Sequence, residues 1–171
     1  MATPLSLVRI ARLATIGAVV ALVAAGSGGA SGAKAGVAAA RHLAKSPTVT
    51  TRKIKGLGAV LVNSRGFTLY MFVPDRQKKV TCKGACAVIW PPLKLKKGQK
   101  PTAGGAAEQK LLGSDKNPGG ALVATYNRWP LYTYITDHKP GQATGQGVDN
   151  SGGRWYVLSP SGKVVKKKLK P

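Results

Sequence analysis

The sequence predicts an all-β or β-dominated domain built from two tandem hairpin-based repeats packed about a pseudo-twofold axis. The first observation is a recurrence: Leu69-Tyr70-Met71-Phe72-Val73-Pro74-Asp75 returns as Leu131-Tyr132-Thr133-Tyr134-Ile135-Thr136-Asp137, and 132 − 70 and 137 − 75 are both 62. The second is alternation of apolar residues with period two between turn signals, with little helical periodicity. The third is size. Each copy alone is too small to bury its own aromatic face, so the two must cover each other.

Taken in order, the chain opens with Arg9 and Arg12, then the uncharged run 13–25, then small residues. This is the layout of a secretory signal peptide. Thirteen residues at helical rise reach about 20 Å, short of a hydrocarbon core of about 30 Å, so the run is read as cleaved. Residues 1–25 are assigned to the signal, with a cut as late as 33 offered by Ser31-Gly32-Ala33, and no transmembrane span is expected after cleavage. The two arginines are not adjacent, which favours the general export route, and no cysteine precedes Cys82 to accept an N-terminal lipid.

Residues 26–56 are rich in Gly, Ala, Ser and Lys and read as a flexible tether. Unit 1 occupies 57–93. Val60-Leu61-Val62 leads through the turn Asn63-Ser64-Arg65-Gly66 into a return strand, Phe67 to Val73, whose alternation places Phe67, Leu69, Met71 and Val73 on one face and Tyr70 and Phe72 on the other. Both faces are apolar, so the strand is covered on both sides or lines a groove. Cys82-Lys83-Gly84-Ala85-Cys86 follows, then one helical turn stopped by Pro91-Pro92. A basic, Gly-containing connector spans 94–120. Unit 2, 121–165, repeats the plan, with Val60-Leu61-Val62 set against Leu122-Val123-Ala124 at the same 62-residue spacing. It carries a glycine-rich loop at 141–153 where unit 1 has cysteines, and Trp155-Tyr156-Val157-Leu158 echoes Trp90-Pro91-Pro92-Leu93. The charged segment 166–171 is expected to be a disordered basic tail.

Charge is the outstanding compositional feature. Lys and Arg number 27 against 5 Asp and Glu, a formal charge of +22, or +20 once Arg9 and Arg12 leave with the signal. Such a balance speaks to partners and solubility, not to fold. Outside the cytoplasm the matching partners are an anionic envelope surface or another polyanion. No recognition motif supports sequence-specific nucleic-acid binding. Lys163, Lys166, Lys167, Lys168 and Lys170 are the expected polyanion contact, each lysine near an anionic membrane contributing about 1 kcal/mol.

Four ordered motifs, Leu69-Tyr70-x-Phe72-x-x-Asp75, Cys82-x-Gly84-x-Cys86-Ala87-x-x-Trp90-Pro91-Pro92-Leu93, Pro130-Leu131-Tyr132-x-Tyr134-x-x-Asp137 and Gly152-Gly153-x-Trp155-Tyr156-Val157-Leu158, carry a resemblance. The chain resembles the bacterial secreted-repeat family of lipoproteins with a Tyr-x-(Phe/Trp/Tyr)-x-x-Asp motif, over about residues 57–162. The resemblance implies an extracytoplasmic protein of unknown function and marks Tyr70, Phe72, Asp75, Tyr132, Tyr134 and Asp137 as the repeat motif. The chain departs from the lipoprotein pattern in lacking a cysteine at the signal cleavage site.

No catalytic motif is found, so the expected function is non-enzymatic. Cys82 and Cys86, exported to an oxidising space, are expected to form a structural disulfide contributing at most about 2 kcal/mol. The alternative is a redox accessory that binds metal, haem or a small molecule, with Met71, Cys82 and Cys86 as soft ligands and copper or haem as cofactor. Asp75 and Asp137, equivalent in the two copies, are read as carboxylates that accept local backbone N–H bonds and fix the turn after a strand. Without a nucleophile motif, His138 does not complete a hydrolase triad. The Tyr70/Phe72 and Tyr132/Tyr134 faces are read as core, or as the lining of a groove for a flat ligand.

Overall fold

The computed structural model describes residues 46–75 and 79–169. The signal peptide and its cleavage site, the tether as far as 45, residues 76–78, and Lys170 and Pro171 of the tail lie outside the described residues.

Strand β1 (Val49–Ile54) pairs antiparallel with β2 (Gly58–Asn63), Val49 opposite Asn63 and Ile54 opposite Gly58. The last residues assigned to the tether are thus a strand. Val49 and Ile54 are buried at its two ends, and four of its six residues are β-branched, which suits a half-buried pleated surface. The connector also holds an element. β4 (Leu112–Lys116) pairs with β5 (Leu122–Tyr126), which turns back into β6 (Trp129–Pro130). The helical turn after the cysteines is α1 (Ala85–Ile89).

The repeat register differs by one from the gapless reading. Leu61 donates its N–H to Leu158 and accepts from Leu69, while Ala124 donates to Leu93 and accepts from Leu131. Leu61 and Ala124 are therefore equivalent, at 124 − 61 = 63, whereas the return strands keep the spacing of 62. The cause is the turn: Asn63 reaches Phe67 through three residues, stapled by its own Oδ1 accepting from Arg65 and Phe67. Tyr126 meets Trp129 through two, Asn127 and Arg128, both at positive φ (45° and 69°).

The final strand of each repeat completes the other repeat. β3 (Tyr70–Phe72) pairs with β8 (Gly153–Val157), Tyr70 opposite Val157 and Phe72 opposite Trp155, and β8 in turn pairs with β7 (Asp149–Asn150). In the counterpart arrangement Pro92 bridges Tyr132 and Lys94 bridges Val123. At the centre Tyr70 and Tyr132 exchange both backbone hydrogen bonds, 2.8 Å and 3.0 Å, so the pseudo-twofold axis passes between them. Neither repeat has a complete sheet without the other.

Because these strands are buried on both faces, alternation feeds two apolar clusters. Tyr70, Phe72, Trp90, Tyr132, Trp155 and Val157 enter the inner one with Val60 and Val123. Leu61, Leu69, Met71, Ala124, Leu131 and Leu158 enter the outer one with Val49 and Tyr126. The tail does not leave the body as expected. Val165 and Leu169 pack against the inner cluster, and the Gln146 amide donates to the carbonyls of Val165 (2.6 Å) and Lys167 (2.9 Å). Apolar residues at that spacing and the half-buried amide of Gln146 hold the segment that its lysines alone would leave in solvent.

Candidate functional site

The motif residues converge on the pseudo-twofold axis. The first tyrosine of each motif copy donates to the aspartate of the other repeat. Tyr70 Oη donates to Asp137 Oδ2 at 2.7 Å, and Tyr132 Oη donates to Asp75 Oδ2. The second oxygen of each carboxylate serves its own loop: Asp75 Oδ1 accepts from Thr81 N (2.7 Å) and Oγ1 (2.6 Å), and Asp137 Oδ1 accepts from Thr144 N (2.8 Å) and Oγ1 (2.6 Å). At least three donors on each buried carboxylate supply the partners that burial of a charge demands.

Burial raises the Asp75 carboxyl above its ordinary value, against the opposing pull of the hydrogen bonds from Thr81, Tyr132 and the backbone of Thr81 and Cys82. Burial likewise pushes both phenols far up, and the facing carboxylate adds to it, Asp137 for Tyr70 and Asp75 for Tyr132. A phenol held protonated beside a carboxylate is a hydrogen-bond donor, not a nucleophile or base.

Behind these pairs lies a solid aromatic stack. Phe72 lies on Trp155 (ring centroids 4.2 Å), Trp155 on Trp90 (3.9 Å, planes 3° apart), and Trp90 on Tyr134 (3.9 Å). Tyr70 meets Trp90 edge-on, and Tyr132 meets Trp155 in the same way. The order Phe72, Trp155, Trp90, Tyr134 alternates between repeats, as the strand exchange requires. Both indole N–H groups find partners on one residue, Trp90 Nε1 on Asn150 Oδ1 and Trp155 Nε1 on the Asn150 carbonyl. Gly145 lets the second loop press onto the stack, since a Cβ there would stand 2.7 Å from Trp90.

The two aromatic faces thus meet across the axis, but Trp90 and Trp155 fill the space between them. The groove reading is corrected: Tyr70, Trp90, Tyr132 and Trp155 are all fully buried, because large flat rings pack face to face at van der Waals distance and leave no room for a ligand. Cys82 and Cys86 form a disulfide with Cα atoms 5.3 Å apart. Met71 does not join them. It lies in the outer cluster, on the opposite face of β3 from the inner cluster that holds Cys82, so the soft-ligand set is not assembled. Among the described residues no group of three or more His, Cys, Asp or Glu side chains could hold a metal. His138 is exposed beside Asp137, whose oxygens are engaged.

Sequence reasoning found the tyrosines and aspartates but missed Thr81, Thr144, Asn150 and Gln146. The signal for the threonines was local: a hydroxyl six or seven residues after each aspartate. Asn150 and Gln146 carried no signal short of the fold.

Outside the axis the surface is basic. Lys163, Lys166, Lys167 and Lys168 are exposed, and the ion pairs found among the described residues are Lys110 with Glu108 and Arg154 with Asp149, both on the surface.

A family described as a secreted repeat of unknown function matches the chain twice, over residues 51–94 and 113–159. The two matches follow the two structural repeats, the first beginning within β1 and the second within β4. Neither a curated protein nor a solved structure matches.

Proposed function

Since the chain belongs to this family of secreted repeats of unknown function, we propose that it is an extracytoplasmic, non-enzymatic module that binds an anionic envelope surface through its basic segments. The interlocked repeats serve as a rigid platform. The observation that carries this reading is the distribution of charge. Of five acidic residues, Asp75 and Asp137 are turned into the interior, which leaves the exposed lysines and arginines still less compensated than the formal +22 indicates. The polar groups at the axis are all engaged with one another, and the motif reads as architecture. Among the described residues no helix is long and apolar enough to cross a membrane.

Binding of this kind is electrostatic and screened by salt. Co-sedimentation of the secreted protein with phosphatidylglycerol-containing vesicles and with purified wall polymer tests it. Association should be strong at low ionic strength, fall steeply towards physiological salt, and be absent on zwitterionic vesicles. Binding that is indifferent to salt, or equal on zwitterionic vesicles, would refute it.

A further inference from the structure

Besides their turns, the two repeats differ around the disulfide loop. Beside the disulfide loop lies a cleft of about 470 Å³ whose charged lining is Lys79, Lys83 and Lys116, with Thr81 and Asn117 between them. No Asp or Glu is among its described lining residues. We propose that this cleft is a binding site for a phosphate group, whether on a soluble phosphate or on an envelope lipid or polymer.

Symmetry supplies the argument. Thr81 and Thr144 bond their aspartates in the same way, so 144 − 81 = 63 sets the local correspondence. It places Gln142 opposite Lys79 and Gln146 opposite Lys83. Both glutamines do structural work: Gln142 Oε1 accepts from Lys139 N at 2.8 Å, and Gln146 Oε1 accepts from Val157 N at 2.9 Å while its amide holds the C-terminal segment. In repeat 1 the covalent Cys82–Cys86 link fixes the loop instead. The residues at 79 and 83 are thereby released from structural duty, and both are exposed lysines. Lys83 lies between Thr81, held on Asp75, and Cys86 of the disulfide, and Lys79 lies two residues before Thr81, so the wall is partly ordered before binding. Lys116, across the cleft on β4, adds a third ammonium. Three ammonium groups on a concave, pre-ordered wall suit the several acceptor oxygens of a phosphate.

The site deepens the anionic-surface reading and rests on it for its setting, yet the two can fail separately. The test is an ¹⁵N NMR titration of the intact oxidised chain with inorganic pyrophosphate at constant ionic strength. Shifts should concentrate at 79–83 and 116–118. The Lys79→Gln/Lys83→Gln variant, which installs the residues that repeat 2 carries, should keep the fold and weaken binding about tenfold or more. Lys163→Gln/Lys166→Gln/Lys167→Gln/Lys168→Gln should leave these shifts unchanged. Shifts spread evenly over the lysines, absent shifts, or an unaffected cleft variant would overturn the site. Loss of vesicle binding by the tail variant alone, with the cleft variant still displaceable by pyrophosphate, would also overturn it while sparing the surface reading. Saturable pyrophosphate binding without any vesicle binding would keep the site, assign it to soluble phosphate and overturn the surface reading.

Discussion

At the scale of single residues, the Tyr–Asp pairs make the interior pH-sensitive in two separate ranges, and in both stability falls as pH rises. The carboxyl of Asp75 is raised in the folded state, so its contribution to stability is full below the ordinary aspartate range and is lost as pH rises through its folded value. From about pH 4 upward, wild type should therefore lose stability relative to Asp75→Asn, measured by denaturant midpoints. A relative gain would contradict the assignment. Tyr70 and Tyr132 are raised too, which favours the fold up to the ordinary phenol range and costs it stability above. Above about pH 10 stability should fall by about 1.4 kcal/mol per pH unit for each such tyrosine, and tyrosinate absorbance from these phenols should appear only together with unfolding. Removing one donor is costly at any pH: Tyr70→Phe should destabilise by about 1–3 kcal/mol because Asp137 loses a buried partner. The motif was half legible. A carboxylate after a strand that accepts from its own loop is visible as a local pattern, and Thr81 and Thr144 fulfil it. The other half, Tyr70 to Asp137 across 67 positions, exists only once the repeats interlock.

At the scale of elements, the hairpins and their alternation were readable and the strand exchange was not. Period two told which of Leu69, Tyr70, Met71 and Phe72 share a face, and they separate into the two clusters accordingly. Nothing local distinguishes Trp155 pairing with Phe72 of the other repeat from pairing within its own. β1 was hidden by Arg52 and Lys53 between its β-branched residues, and β4, Leu-Gly-Ser-Asp-Lys, has little intrinsic β preference and is a strand because β5 is beside it. The two-residue turn offers a test of local strain. Arg128 sits at φ 69°, where a glycine is at ease, so Arg128→Gly should stabilise by about 0.5–1 kcal/mol once the extra chain entropy is subtracted. The reverse holds at Gly145, where alanine would meet Trp90 and Tyr134; Gly145→Ala should cost about 1–3 kcal/mol by chemical denaturation.

At the scale of the whole molecule, the exchange makes the two repeats one folding unit, with the aromatic interior closed and the cationic groups outside. Composition already told the sign of the surface, since 27 basic residues cannot be buried. It could not tell that the motif aromatics are filled core, because the same alternation also describes a groove. The central claim is that partners meet the lysines and leave the stack untouched. Hydrogen exchange of the intact secreted protein, with and without anionic vesicles at low salt, tests it most directly. New protection should arise at the exposed basic segments, 163–169 above all, with exchange around Tyr70, Trp90, Tyr132 and Trp155 unchanged. Protection that instead arises at the aromatic stack, or opening of the Tyr–Asp pairs on binding, would contradict it.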